Sequence, residues 1–468
     1  MLQKVLEILN TEKSFDLVRR EIAVGGRPAC ILFVDGMVKD EVMEKMLEYF
    51  LKLPEDIFDK APDMRAFSRM VIPYIEVAES KKPEAACVQI LSGVLALAIE
   101  GYEELALIDV RTYPVRGVEE PEKDRVMRGS RDGFVETVVF NTALIRRRIR
   151  DPKLVMEIQS AGESSHTDIV LCYMSDRADM ELVKQMRRRI AELNVHALTM
   201  NQESLAEALV RGRWFNPFPK VRYTERPDAA AASVLEGKIV ALVDNSPSAM
   251  ILPSAIFDFF QEADDYYFPP LVGTYLRISR VLIFLATLFF TPVWLLLMQN
   301  PGWIPPWLDF IRVQEPNSVP LLMQLLILEF AVDGLRMASL NTPSTLSSAM
   351  SIVGGLVLGE FAVSSGWFVP DTILYAAFVA IANYTQPSFE LGYAFKFTRI
   401  MLLVLTGIWN LWGFLAGLFI FLLAVGCTRT ISGKSYLYPL FPFNGRELRQ
   451  VFFRAKLNSH PHRSREEY

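Results

Sequence analysis

The sequence predicts an α/β amino-terminal region of two subdomains followed by an all-α membrane domain. Three observations predict it. The 468 residues include 49 basic and 54 acidic ones, yet the 146 residues from Val281 to Gly426 hold only eleven charges. A mean hydropathy of +0.22 is therefore the average of a polar part and an apolar part joined end to end. The polar part shows short apolar runs, turns and helical periodicity in alternation, as a sheet covered by helices would. These features exclude a purely cytosolic enzyme, a disulfide-stapled secreted scaffold and a disordered chain. A net charge of −5 gives no basis for a nucleic-acid partner.

The first subdomain is expected over 1–150. Ala29–Val34 is an apolar run closed by Asp35-Gly36, and Val42, Met43, Met46, Leu47 and Phe50 follow at helical spacing. Gln89–Ile99, the turn Glu100-Gly101 and Glu104–Val110 repeat the logic. Both acidic-glycine pairs read as turns, because Asp and Gly are turn formers. The basic run Arg146, Arg147, Arg148 and Arg150 reads either as a solvated, salt-bridged face or as a dock for an anionic surface. The second subdomain, 151–220, holds the strand Asp168–Tyr173 and a helix from Asp179 to Asn194. No GxGxxG, Walker A, GxSxG or HExxH occurs, so no enzyme and no cofactor is expected. Cys30, Cys87, Cys172 and Cys427 form no CxxC pair and read as free thiols. The start, MLQKVLEILNTEKSFD, has no apolar stretch of signal-peptide length, so export of this region is not expected.

Residues 221–280 read as a linker with an interfacial helix near 250–270, and 281–428 as the transmembrane domain. Five hydrophobic segments are visible there: Val281–Gln299, Ser318–Leu340, Ala349–Gly366, Thr372–Pro387 and Ile400–Gly426. A span needs roughly 20 apolar residues. Arg277 and Arg280 precede the first segment, and the 429–468 tail is basic, so both ends are expected on the cytoplasmic side. The crossings are then even in number. Four suffice if Ser318–Leu340, with three charges, is re-entrant or interfacial; six would need the 250–260 segment to cross. The tail is also an expected contact for anionic lipid.

Glu329, Asp333 and Arg336 fall on one helical face. They read as an Asp333–Arg336 ion pair holding the helix, or as an acidic vestibule that concentrates cations. Glu360 has no opposite charge in its own segment. It reads as a pore-mouth charge, with Val353, Val357 and Phe361 as apolar constrictions, or as a packed carboxylate in a bundle. Gly355 with Gly359, and Gly413 with Gly417, are GxxxG pairs suited to close helix packing.

Many ordered segments together resemble the A-subunit family of GerA-type spore germination receptors, and within it a branch tied to stage V of sporulation. They are Phe33-Val34-Asp35-Gly36-Met37, Glu119-Glu120-Pro121, Arg128–Thr137, Asn141 with Leu144–Arg148, Tyr223–Asp228, Glu236-Gly237, Asp244–Pro247, Leu335-Arg336, Pro343, Ser351–Gly355 and Tyr436–Pro439. The resemblance implies a protein of the spore inner membrane that assembles as a ring around an ion path. Its implied partners are further copies of itself, a small membrane subunit, germination receptors and monovalent cations. The chain departs from nutrient-receptor members at Cys427–Ser432, Asn245, Asp333 and Glu360. An accessory channel that amplifies germination signals is therefore the implied role, with a non-conducting scaffold as the alternative.

Overall fold

The computed structural model describes residues 1–112, 129–210, 215–313, 318–341, 352, 354–355 and 360–454. They divide into two units: residues 1–211 with 221–254, and residues 212–220 with 255–457.

The first unit holds two five-stranded antiparallel sheets. The first contains β1 (Leu17–Val24), β2 (Arg27–Val34), β3 (Val77–Ser80), β4 (Leu95–Ile99) and β5 (Leu105–Ile108), in the order β1-β2-β4-β5-β3. Alternate residues of a strand point to opposite faces. Ile31, Leu95 and Leu97 meet Phe50, Phe58 and Phe67 from α2 (Asp40–Leu51), α3 (Ile57–Lys60) and α4 (Met64–Met70). Leu32, Val34 and Ala96 meet Val5, Leu9 and Ile90 from α1 (Leu2–Leu9) and α5 (Pro83–Leu91) on the other face. With both faces covered, β4 can be apolar at every position. Gly36 and Gly101, at φ +73° and +91°, make the expected turns.

The second sheet contains β6 (Leu154–Ala161), β7 (Thr167–Met174), β8 (Arg222–Thr224), β9 (Ile239–Val243) and β10 (Ala249–Leu252), in the order β6-β7-β9-β10-β8. α6 (Val138–Arg148) and α9 (Pro227–Leu235) cover one face, while α7 (Met180–Ala191) and α8 (Asn201–Leu209) contact β6 and β9 respectively. Residues 221–254, expected within the linker, therefore supply three of the five strands. The stretch expected as an interfacial helix is β10 followed by a 3-10 turn, Ile256–Phe260. A fragment of residues 1–254 should accordingly fold without detergent and melt cooperatively by circular dichroism. One ending at 220 should not, because it lacks β8, β9 and β10. Equal melting of both would contradict this sheet order.

The basic run of α6 is salt-bridged but only partly solvated. Arg146 is fully buried, donating to both carboxylate oxygens of Asp16 at 2.9 and 3.1 Å and to the Leu154 carbonyl at 3.2 Å. Arg148 binds Asp132, and only Arg150 is exposed. The Asn141 amide pairs with both backbone groups of Val135, Asp244 accepts from Val138 N–H, and Arg226 binds Asp228 and the Ser130 carbonyl. The residues that carried the resemblance thus pin segment 130–138 to the second sheet. Burial pushes the Cys87 thiol up to about 11 and raises Cys30 and Cys172 as well, so these three are inert core thiols; Cys427 is exposed.

The second unit is helical: α10 (Asp264–Tyr267), α11 (Pro270–Gln299), α12 (Leu321–Asn341), α13 (Pro370–Tyr384), α14 (Phe389–Cys427) and α15 (Gly445–Phe452). α11 and α14 are long and apolar enough to cross a membrane. α14 is not straight. Asn410 breaks it at φ 51°, ψ −132°. In a straight helix Phe395 and Phe421 would stand about 39 Å apart, yet their ring centroids are 5.8 Å apart. Residues 389–409 and 411–427 are therefore antiparallel arms of a hairpin, and the 27-residue run Ile400–Gly426, expected as one span, folds back on itself. Gly413 and Gly417 lie in the seam, where an added Cβ would stand 1.8 Å from the Leu405 carbonyl oxygen and 2.7 Å from a Leu402 methyl. In contrast, Gly355 has nothing within 4 Å of a Cβ, and Gly354 is the glycine that meets Leu335.

Candidate functional site

Two helices, α12 and α14, bring five ionisable side chains together inside this apolar bundle. The first arm of α14 begins at Ser388, whose hydroxyl accepts from Leu391 N–H at 3.2 Å. That start sets the phase of the helix. Lys396 and Arg399, one turn apart, then face α12. Arg399 grips Glu329 with two parallel bonds of 2.6 and 2.9 Å and donates to the Thr287 carbonyl of α11 at 2.8 Å. Lys396 reaches Asp333 at 2.6 Å, the Glu329 carboxylate at 3.3 Å and the Glu329 carbonyl at 3.0 Å. The Lys396 and Arg399 side chains are only 6% and 3% exposed.

The Asp333–Arg336 pair suggested by spacing is not the one formed. Asp333 turns to Lys396, and the Arg336 guanidinium lies over Tyr384, Phe389 and Tyr393 at 5.7, 4.9 and 5.3 Å from the ring centroids. Three aromatic faces hold this cation. With Leu328, Val332, Ala376 and Ala380, the five charged side chains and Tyr384 line one narrow cleft. Beside it Gln386 donates to Thr287 Oγ1 at 3.2 Å.

This geometry changes the meaning of the acids. Glu329 and Asp333 face two buried cations, so their charge is spent within the cluster and they do not make an acidic vestibule. The pairing also explains how α12 carries charge and still runs as one 21-residue helix. Lys396 and Arg399 were missed by sequence reasoning. Their signal was present: two bases one turn apart in an apolar stretch, matching acids one turn apart in another.

The remaining candidates are not gathered here. Glu360 and Phe361 are exposed, Phe361 at 62%. Val353, Val357 and Gly359 lie outside the described residues. Arg277 and Arg280, first read only as flanking charge, are buried against Asp265, at 3.1 Å each.

Comparison with known proteins follows the same outline. The model of the "Bacillus/Clostridium GerA spore germination protein" family matches residues 3–466. Stage V sporulation protein AF of Bacillus subtilis (strain 168) is 41% identical over 367 residues, covering 78% of this chain and 74% of the relative. The uncharacterized membrane protein YfkQ of the same organism is 29% identical over 452 residues, covering 96% and 87%. Among solved structures, the N-terminal domain of the A subunit of the Bacillus megaterium spore germinant receptor GerK3 aligns with a TM-score of 0.41 at 24% identity, over 53% of this chain and 92% of that one. The two apolar helices and the names of these relatives point to a membrane protein.

Proposed function

Since the chain belongs to the family of Bacillus/Clostridium GerA spore germination proteins, we propose that it serves germination as an oligomeric, multi-pass ion channel of the spore inner membrane, releasing cations and amplifying the germination signal. Its partners are further copies of itself and germination receptors.

Two features support the multi-pass placement. From Arg280 to Asn300, α11 covers about 30 Å, the thickness of a bilayer's hydrocarbon core. At the Asn300 end, Trp303, Trp307, Phe310, Trp409 and Trp412 are exposed, and at the other end Tyr266, Tyr267 and Tyr275 are. Trp and Tyr collect at the two membrane boundaries.

The observation that carries the channel reading is Glu360. It is exposed, and among the described residues no basic side chain pairs with it. A carboxylate facing lipid within the hydrocarbon core is unfavourable. Lining a water-filled lumen shared by several copies removes that cost, and one carboxylate per copy attracts cations.

The test is reconstitution of the full chain in planar bilayers. Cation-selective single-channel currents are expected, with Glu360→Gln lowering cation conductance and moving the reversal potential toward zero while assembly is retained. Unchanged selectivity would move the ion path away from Glu360. The absence of any current would favour the scaffold, a reading to which the fully paired Glu329–Arg399 cluster lends itself.

A further inference from the structure

We infer that residues 440–453 form a foot that seats this protein on the anionic headgroups of the bilayer surface; the inference rests on the membrane placement just proposed. Leu440, Phe441 and Phe443 are 47%, 70% and 74% exposed, and Phe453 follows at 53%. Large apolar side chains this open need a cover.

The exposure does not come from a loose loop. Tyr436, just upstream, is fully buried and donates its hydroxyl to the Pro219 carbonyl at 2.7 Å. Asn444 N–H bonds the Pro439 carbonyl at 2.9 Å, its side-chain amide reaches Tyr438 Oη at 3.1 Å, and its carbonyl oxygen accepts from Glu447 N–H at the start of α15. The apolar residues are therefore held outward by a braced turn.

Depth identifies what lies against them. Arg277 Nη1 donates to the Gln450 carbonyl at 2.8 Å, and Arg454 N–H to Thr274 Oγ1 at 3.1 Å. α15 thus runs beside residues 274–277 of α11, three to six residues before Arg280. At 1.5 Å per residue that is about 5–9 Å from the boundary counted back from Asn300, the level of the headgroups. Charge agrees with depth. Arg446 and Arg449 are exposed and one turn apart on α15, so a basic edge borders the apolar tip. Aromatic rings enter the boundary between headgroup and acyl chain, and guanidinium groups bind phosphate oxygens.

The experiment uses the full chain carrying Cys427→Ser, since the other three cysteines are buried. Phe441→Cys, Phe443→Cys and, as a control on α11, Leu285→Cys are each spin-labelled in liposomes of phosphatidylcholine with or without phosphatidylglycerol. Collision with oxygen, which partitions into lipid, is compared with collision with a water-soluble nickel chelate. Oxygen should dominate at all three positions when phosphatidylglycerol is present. Adding Arg446→Glu and Arg449→Glu should return the oxygen-to-nickel ratio at 441 to its value in phosphatidylcholine alone, with no change at 285. Nickel dominance at 441 and 443 with oxygen dominance at 285 overturns the foot and leaves the membrane placement standing. Nickel dominance at all three positions removes both. Weak collision with either reagent at 441 means a protein covers the tip, and this also overturns the inference.

Discussion

Gly413→Ala is expected to abolish recovery of folded, monodisperse protein from detergent extracts. The added methyl would lie 1.8 Å from the Leu405 carbonyl oxygen. That neighbour is backbone of the facing arm, so no side-chain rotation relieves the clash. Overpacking of a side chain commonly costs about 1–3 kcal/mol, and a backbone clash at a hairpin bend stands at or beyond the upper end. Gly426→Ala is the matched control, because nothing stands within 4 Å of a Cβ there. Size-exclusion profiles and thermal melts of the two variants decide the matter. Normal behaviour of Gly413→Ala would mean that the arms do not close at Asn410 and that α14 crosses as one straight span.

Arg399→Met should be the second most damaging substitution. It leaves the Glu329 carboxylate, 12% exposed, with half of its cationic partners and removes the bond to the Thr287 carbonyl. Breaking a buried pair by deleting one partner costs roughly 3–5 kcal/mol. The same source of cost predicts a rescue. Glu329→Gln added to Arg399→Met removes the orphaned charge, while Lys396 still binds Asp333, so much of the lost melting temperature should return. The interaction energy from the four-variant cycle is the quantity to measure. Additive effects would mean that water already solvates the cluster. The cleft would then be part of a hydrated path and not a structural clasp.

These two regions differ in how far the sequence could reach. The GxxxG spacing of Gly413 and Gly417 marks a close approach, but spacing cannot say what approaches. Here it is the same helix, returned by a bend at an asparagine that reads as an ordinary residue in an apolar run. The acids of α12 were legible as a functional or structural cluster. Their partners were not, because Lys396 and Arg399 lie 63 to 70 residues away and no local pattern joins them.

The sequence by itself determined what depends on composition and short-range pattern. The charge-depleted stretch after Val281 separates an apolar helical unit from an α/β unit. Short apolar runs place β2 and β7 where they form, 3.6-residue spacing places α2, and ordered motifs mark the family. Only the tertiary structure decided what depends on contacts between distant residues. It drew β8–β10 into the second sheet, buried Arg146 against Asp16, folded α14 at Asn410 and spent the charges of Glu329 and Asp333 on α14. The physical reason is common to all four. Local pattern fixes which side of an element seeks cover, whereas the partner that covers it is chosen by packing and charge pairing across the chain.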